Sequence, residues 1–361
     1  MTDEPAAWDP TTFRTRVQAA LDGFLDEQAV GLAPLGEDAA RLVGEARASV
    51  SGGKRFRAAF CYWAHRAVAG AAYDESREAA LMRACASLEL LHASALVHDD
   101  YMDASDTRRG RLATHRGFEA EHRRDGWRGD PEQYGAAAAI LLGDLLLSWA
   151  VELLRTCGLP LEHVVPALGV FDRCRTEVIA GQFLDVSVQA RGAADVDAAM
   201  TVLRYKSAKY SIERPLHIGA TLADASADQV RQLSAFGLPL GEAFQLRDDL
   251  LGVYGDPAVT GKPAGDDLVE GKRTVLVALA LDAAPPADAQ RLDAALGSPL
   301  SEADVVDLRR IIDSSGAHDQ VEQVITSLAT TATDALARAD LDEQARAVLL
   351  QLATAATVRT V

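Results

Sequence analysis

The chain has 361 residues, of which 48 % are hydrophobic and 25 % charged, so it is a globular chain with a large core and not a disordered one. Lysine and arginine number 36 against 53 aspartates and glutamates, and the net charge of −17 excludes a broadly basic nucleic-acid binder or a polybasic membrane-surface protein. The four cysteines (Cys61, Cys85, Cys157 and Cys174) lack metal-ligand or redox spacing and read as reduced thiols of a cytoplasmic protein.

Helical periodicity dominates and strand signals are almost absent, so an all-α fold is expected. Helices are predicted over 11–30 and 37–48, then after the turn Ser51-Gly52-Gly53 over 55–71. A long apolar helix over 76–102 closes on His98-Asp99-Asp100-Tyr101-Met102-Asp103. Thr107 to Gln133, rich in Arg and Gly, reads as a polar loop. Helices over 134–157, 161–191, 196–203, 205–223 and 226–254 follow. Gly255 to Gly271 reads as a second loop, and helices over 272–283, 287–296, 301–314, 317–339 and 342–358 complete the chain. No linker divides these elements, so one domain spans 1–361, with its motifs at 50–275 and packing helices at 285–358. The acidic N-terminus has no apolar leader, and the most apolar run, Ala136 to Trp149, is broken by Gly143-Asp144. Neither a signal peptide nor a transmembrane segment is expected.

Asp99 and Asp103 are four residues apart and share one helix face. Stacked carboxylates repel, and at a helix C-terminus they also oppose the macrodipole. A cation reverses that cost, and oxygen ligands without His or Cys favour Mg²⁺. A second acidic pair, Asp248-Asp249 in Phe244-Gln245-Leu246-Arg247-Asp248-Asp249, closes the apolar helix over 226–254. Two such pairs facing each other could hold several Mg²⁺ ions around a polyphosphate. The cations to match it are present. Gly53-Lys54-Arg55-Phe56-Arg57 places basic residues at a helix start, where anions bind. Arg108-Arg109 follows the first acidic motif. The chain has only five lysines against thirty-one arginines, and all five (Lys54, Lys206, Lys209, Lys262 and Lys272) fall in polar or Gly-rich clusters. That usage suits phosphate, for which lysine is a compact point charge. His92 stands two turns before Asp99, and Asp144, Gln182 and Asp185 place polar groups inside apolar helices.

The motifs GGKRFR, HDDYMD, DTRRG, GQFLD, YKSAKY, FQLRDD, GKPAGDD and EGKRT over residues 50–275 resemble the trans-isoprenyl diphosphate synthases, most nearly those making geranylgeranyl diphosphate. The resemblance implies an all-α bundle around a deep apolar cavity, usually a homodimer, and Mg-dependent head-to-tail condensation of isopentenyl diphosphate with allylic diphosphates. It implies that Asp99 and Asp103 bind two Mg²⁺ and that Asp248, with Asp249, binds a third. Arg108, Lys206, Ser207 (where Thr is usual), Gln245, Lys262 and Lys272 match the allylic diphosphate pocket. Lys54, Arg57, His92 and Arg109 match the isopentenyl diphosphate pocket. The chain departs from the family pattern in two places. Gly252 stands where the second motif often has a third Asp, leaving Asp248 and Asp249 to serve, with Asp256 near. Lys209 and Arg214-Pro215 also depart from the commonest pattern, and Lys206-Ser207 is preferred over Lys209 for the pocket.

The tail of the growing chain is expected to run back along the 76–102 helix. Ser94 and Ala95, one turn before Asp99, are small and leave the channel open, with Leu91 and Leu88 as floors further down. A C20 product is favoured, with C15 or longer chains as alternatives. Two readings of other classes compete: a class I terpene cyclase, and a non-catalytic subunit of a heteromeric synthase. The first needs an Asn/Asp, Ser/Thr, Glu metal motif that is not found after Asp248, and the chain has no Asn. The second would be expected to have lost metal or basic positions, which are present here.

Overall fold

The computed structural model describes residues 8–192, 195–255 and 265–358. Its helices in chain order are α1 (Pro10–Leu32), α2 (Glu37–Ser49), α3 (Phe56–Ala69), α4 (Glu78–Met102), α5 (Thr114–Arg124), α6 (Pro131–Arg155), α7 (Leu161–Arg191) and α8 (Val196–Val202). A π-helical segment, Leu203–Glu213, runs straight into α9 (Arg214–Leu222). Then come α10 (Ala227–Tyr254), the short α11 (Asp266–Val269), α12 (Val275–Ala283), α13 (Pro286–Ala295), α14 (Glu302–Ser315), α15 (Ala317–Ala337) and α16 (Glu343–Thr357). Among the described residues the only sheet is a two-stranded hairpin, β1 (Thr107–Arg108) against β2 (Arg111–Leu112).

Local chemistry starts these helices where the chain needs them. Asp130 caps α6 ahead of Pro131, a proline at a position where its missing N–H costs nothing. Ser226 and Gln229 form a reciprocal capping box at the start of α10. Thr274 caps α12, which therefore begins three residues later than the periodicity predicts. Two further expectations need correction. Thr107 to Gln133 is not one loop: it holds the hairpin and α5, whose few inward residues (His115, Phe118, Glu119 and His122) are mostly polar and give no apolar stripe to read. The single helix expected over 205–223 is a π segment followed by an α-helix.

Two apolar clusters meet along α10. Leu233, Phe236, Leu240 and Phe244 pack with α1, α3, α4, α6, α7, α9 and α16. Ala243, Leu246, Leu250 and Val253 pack with α12, α14 and α15. Close approaches within the bundle depend on glycines. A Cβ on Gly143 of α6 would collide with the His98 ring of α4, and one on Gly219 of α9 would collide with the carbonyl oxygen of Cys61 on α3. Two helices, Glu75–Met102 and Pro131–Arg155, are long and apolar enough to cross a membrane by length and composition. Both pack within the bundle against each other, and their apolar windows are 72 % and 44 % buried. The four cysteines are buried and free.

Gly219→Ala is expected to cost about 1–3 kcal/mol, because the clash is with backbone that has no rotamer to escape into. An unchanged thermal midpoint would contradict the α3–α9 contact. Two histidines outside the cavity, His65 and His217, also lose their ordinary basicity. Burial, with nearby positive charge, depresses His65 and His217 to about 4. The unfolded chain binds more protons between pH 4 and 6.5, so stability should be full above pH 6.5 and decline as pH falls towards 4. The decline is at most ~3 kcal/mol per histidine. Denaturant midpoints across that range, flatter in His65→Phe, check it.

Candidate active site

The C-terminal ends of α4 and α10 open on a cavity of about 1280 Å³. Its mouth is charged and its depth apolar. Around the mouth stand Lys54, Arg57, Asp99, Arg108, Arg109, Lys206, Asp248, Asp249, Asp267 and Lys272. Deeper, Leu91, Ser94, Ala95, Ile140, Leu147, Val178 and Ile179 form its walls.

Lys206 Nζ lies 3.1 Å from Asp99 Oδ1 and 2.5 Å from Asp185 Oδ2. Lys272 Nζ lies 3.5 Å from Asp103 Oδ2 and 3.3 Å from Asp267 Oδ1, and also pairs with Glu270. Burial alone would push the Asp99 carboxyl up, but Lys206, Lys272 and Arg108 hold it below its ordinary value. Asp103 is pushed up to about 6 by burial and by Asp99 beside it. Asp249 is pushed up to about 7 by burial and by Asp267, although Gln245 Nε2 donates to its Oδ1 at 2.8 Å. Burial disfavours charged lysines, yet the surrounding carboxylates raise both Lys206 and Lys272 above the usual amine range.

Negative charge exceeds positive between the two acidic motifs, and the ligands are carboxylate oxygens. Asp99 Oδ1 and Asp103 Oδ2 are buried and accept no hydrogen bond of sound geometry. That donor set fits Mg²⁺. Among the described residues, no group of three His, Cys, Asp or Glu side chains could hold a metal ion by itself. Mg²⁺ commonly takes one or two protein carboxylates and completes its shell with substrate phosphates and water.

The basic wall is built by α3, the hairpin, α4 and the π segment. Arg55, in a left-handed conformation (φ 57°), starts α3 and is pinned by a buried pair with Glu89 at 3.0 Å. Lys54 just before that pin and Arg57 two residues after it both line the cavity. Arg57 donates to Tyr210 Oη at 2.6 Å and to Ser211 Oγ at 2.8 Å. His92 Nδ1 meets the same Tyr210 hydroxyl at 2.8 Å, and burial, with Arg57 and Arg109 near, keeps it neutral, well below its usual pKa. Arg109 donates to the Ser51 carbonyl at 2.9 Å, which ties the hairpin to the Gly52-Gly53 turn. Arg108 is held by both Nε and Nη2 on the buried Asp100.

The structure therefore brings together Lys54, Arg57, His92, Asp99, Asp103, Arg108, Arg109, Lys206, Ser207, Gln245, Asp248, Asp249 and Lys272. Lys262 and Asp256 lie outside the described residues. Lys209 points away from the cavity, onto Glu177 at 3.0 Å. Of the channel residues, Leu91, Ser94 and Ala95 line the cavity, whereas Leu88 does not: it is fully buried in the core. Walls read only from the structure are Leu147 on α6 and Val178 on α7. Asp185, which the sequence marks only as a polar group inside an apolar helix, finds its partner in Lys206, and sequence reading gives no role to Tyr210 or Asp267. Asp267 bears on the Gly252 departure. A Cβ on Gly252 would collide with the Asp267 carboxylate, so Asp267 occupies the space that a longer residue 252 would need. Its signal was present in the pair Asp266-Asp267, but no spacing rule connects those residues to Asp248.

The Polyprenyl synthetase family model matches residues 41–313. A geranylfarnesyl diphosphate synthase of Aeropyrum pernix is 33 % identical over 80 % of this chain and 84 % of its own length. A geranylgeranyl diphosphate synthase of Mycobacterium tuberculosis is 36 % identical over 65 % of this chain and 60 % of its own. The crystal structure of geranylgeranyl pyrophosphate synthase from Corynebacterium glutamicum, complexed with isoprenyl diphosphate and magnesium, superposes with a TM-score of 0.95. It is 40 % identical and the match covers 98 % of this chain and all of that one. The chain belongs to the polyprenyl synthetase family. It is a prenyltransferase that elongates prenyl diphosphates.

Asp267→Asn is expected to lower kcat about 10²-fold at saturating Mg²⁺ with little change in thermal midpoint, since it removes charge from the reacting end of the cavity. Steady-state prenyl transfer measures it, and wild-type kcat in the variant would remove Asp267 from the site.

Proposed function

We propose that the protein condenses isopentenyl diphosphate with allylic diphosphates to make all-trans geranylgeranyl diphosphate, C20. The observation that carries this reading is one cavity with a charged mouth and an apolar depth whose wall at Ser94 and Ala95 is small. Two to three Mg²⁺ ions, held by Asp99, Asp103, Asp248, Asp249 and Asp267, supply charge stabilisation to the departing diphosphate when bound. Arg108, Lys206, Ser207, Gln245, Lys262 and Lys272 grip the allylic diphosphate, so its charge is balanced as the allylic C–O bond ionises. Lys54, Arg57, His92 and Arg109 hold isopentenyl diphosphate alongside, with its double bond facing the cation. That double bond forms the new C–C bond and leaves a cation in the isopentenyl unit, and the released diphosphate takes the proton from the adjacent carbon to form the new double bond. The apolar walls exclude water that would quench the cation.

The tail descends past Ala95 towards Leu91, with Ile140, Leu147 and Val178 opposite. A homodimer is supported by exposed apolar side chains that lie outside the cavity, Leu161 and Val165 on α7 and Leu141 on α6. Leu161 is 68 % exposed, a cost that a second copy removes. Sequence reading and the packing of both apolar helices inside the bundle support a cytoplasmic enzyme.

Purified protein with Mg²⁺, labelled isopentenyl diphosphate and C5, C10 or C15 primers should yield C20. Ala95→Phe should shorten the product by at least one C5 unit while transfer continues. An unchanged product in that variant would move the channel away from α4, and no transfer with any primer by folded protein would sink the reading.

A further inference from the structure

Lys209 and Arg214 depart from the commonest family pattern and neither lines the cavity. Both reach α7, where Glu177 accepts from Lys209 Nζ at 3.0 Å, from Arg214 Nε at 2.7 Å and from Arg214 Nη2 at 2.8 Å. Lys209 Nζ also lies 4.5 Å above the Tyr205 ring, and Arg214 Nη1 donates to His217 Nδ1 at 2.9 Å. All three charged side chains of this knot are at most 15 % exposed. Burial would push the Glu177 carboxyl up, but the hydrogen bonds from Arg214 and Lys209 hold it below its ordinary value.

The two donors are five residues apart in sequence. In an α-helix, at about 100° per residue, positions i and i+5 diverge by about 140° and cannot share one acceptor so easily. In a π-helix, bonded i to i+5, they lie nearly one above the other. The chain is π-helical from Leu203 to Glu213, just where the knot requires it. That winding places Lys206, Ser207, Tyr210 and Ser211 together on the cavity wall, so the diphosphate-facing lysine and the two partners of Arg57 share one face.

The wide segment also needs room. A Cβ on Gly181 of α7 would strike the backbone of Tyr205 and Lys206, and one on Gly241 of α10 would strike the carbonyl of Ala208. Long π-helices are rare because their hydrogen-bond ladder alone does not favour them. An external brace is therefore needed: on α7, Asp185 takes Lys206 on the cavity side, and Glu177 takes Lys209 and Arg214 away from the cavity.

We propose that Glu177, with Lys209 and Arg214, is a positioning residue that holds Leu203–Glu213 in its π winding and so sets where Lys206, Ser207 and Tyr210 meet the two diphosphates. The inference rests on the prenyl-transfer reading for its activity arm but not for its binding arm. Glu177→Gln is compared with wild type in two measurements: steady-state transfer, and calorimetric affinity for inorganic diphosphate with Mg²⁺. Expected are a kcat lower by about 10–100-fold and a diphosphate affinity about tenfold weaker, in protein whose thermal midpoint stays within roughly 5 °C. Glu177→Asp should recover part of both losses. A merely structural brace would lower the midpoint and leave kcat and affinity of the folded enzyme alone, and that result overturns the proposal. If Glu177→Gln does not fold, Lys209→Met, which leaves the Arg214–Glu177 pair in place, is read by the same two criteria. Wild-type protein that binds Mg²⁺-diphosphate but elongates no primer would fail the prenyl-transfer reading while the binding arm still decides the role of Glu177.

Discussion

Everything in this bundle is arranged around an electrostatic imbalance. Two acidic helix ends, those of α4 and α10, are brought to one cavity mouth where Asp99, Asp103, Asp248, Asp249 and Asp267 outnumber Lys206 and Lys272. In a site screened from water, carboxylates this close raise one another's pKa, as Asp103 and Asp249 show. Folding alone gains nothing from that crowding. Divalent cations and a diphosphate convert it into binding energy, because each neutralises what the other concentrates.

The rest of the fold serves to hold that imbalance in place. α4 and α6 pack closely because Gly143 leaves room for His98, and Ser94 Oγ donates to the Gly143 carbonyl at 2.7 Å. That contact fixes the channel wall in the same stroke as the acid motif one turn away. On the other side, Arg57 and His92 converge on a single hydroxyl, Tyr210 Oη, so the basic subsite and the π segment are joined by one shared group. Lys206 and Lys272 sit between the acidic groups as internal counter-ions and offset part of their charge.

Much of this was legible along the chain. Helices long enough to form a deep bundle announced themselves by composition and period, and the acid pairs stood out because they end apolar helices where carboxylates are unfavourable. The five lysines were informative because arginine does the ordinary surface work. What failed to show had a local cause in each case. α5 buries His115, Glu119 and His122 beside Phe118, so its inward face carries no hydrophobic signal. The π segment has the composition of an α-helix, and its winding depends on partners in α7 and α10. Leu88 shares a spacing with Leu91 but is turned into the core, a difference of facing that spacing counts do not resolve.

The sequence by itself determined the class of fold, the acidic and basic motifs and the chemistry they can do, because residue type and helical period act over a few residues. Tertiary structure decided which groups share a wall. Asp267 fills the space beside Gly252, Lys209 pairs with Glu177 where Lys206 faces the cavity, and Leu147 and Val178 join Leu91 in the cavity wall, since each of these depends on how distant helices approach. Such approaches are set by glycines and buried ion pairs whose partners lie far apart in the chain, and no local pattern records a partner's distance.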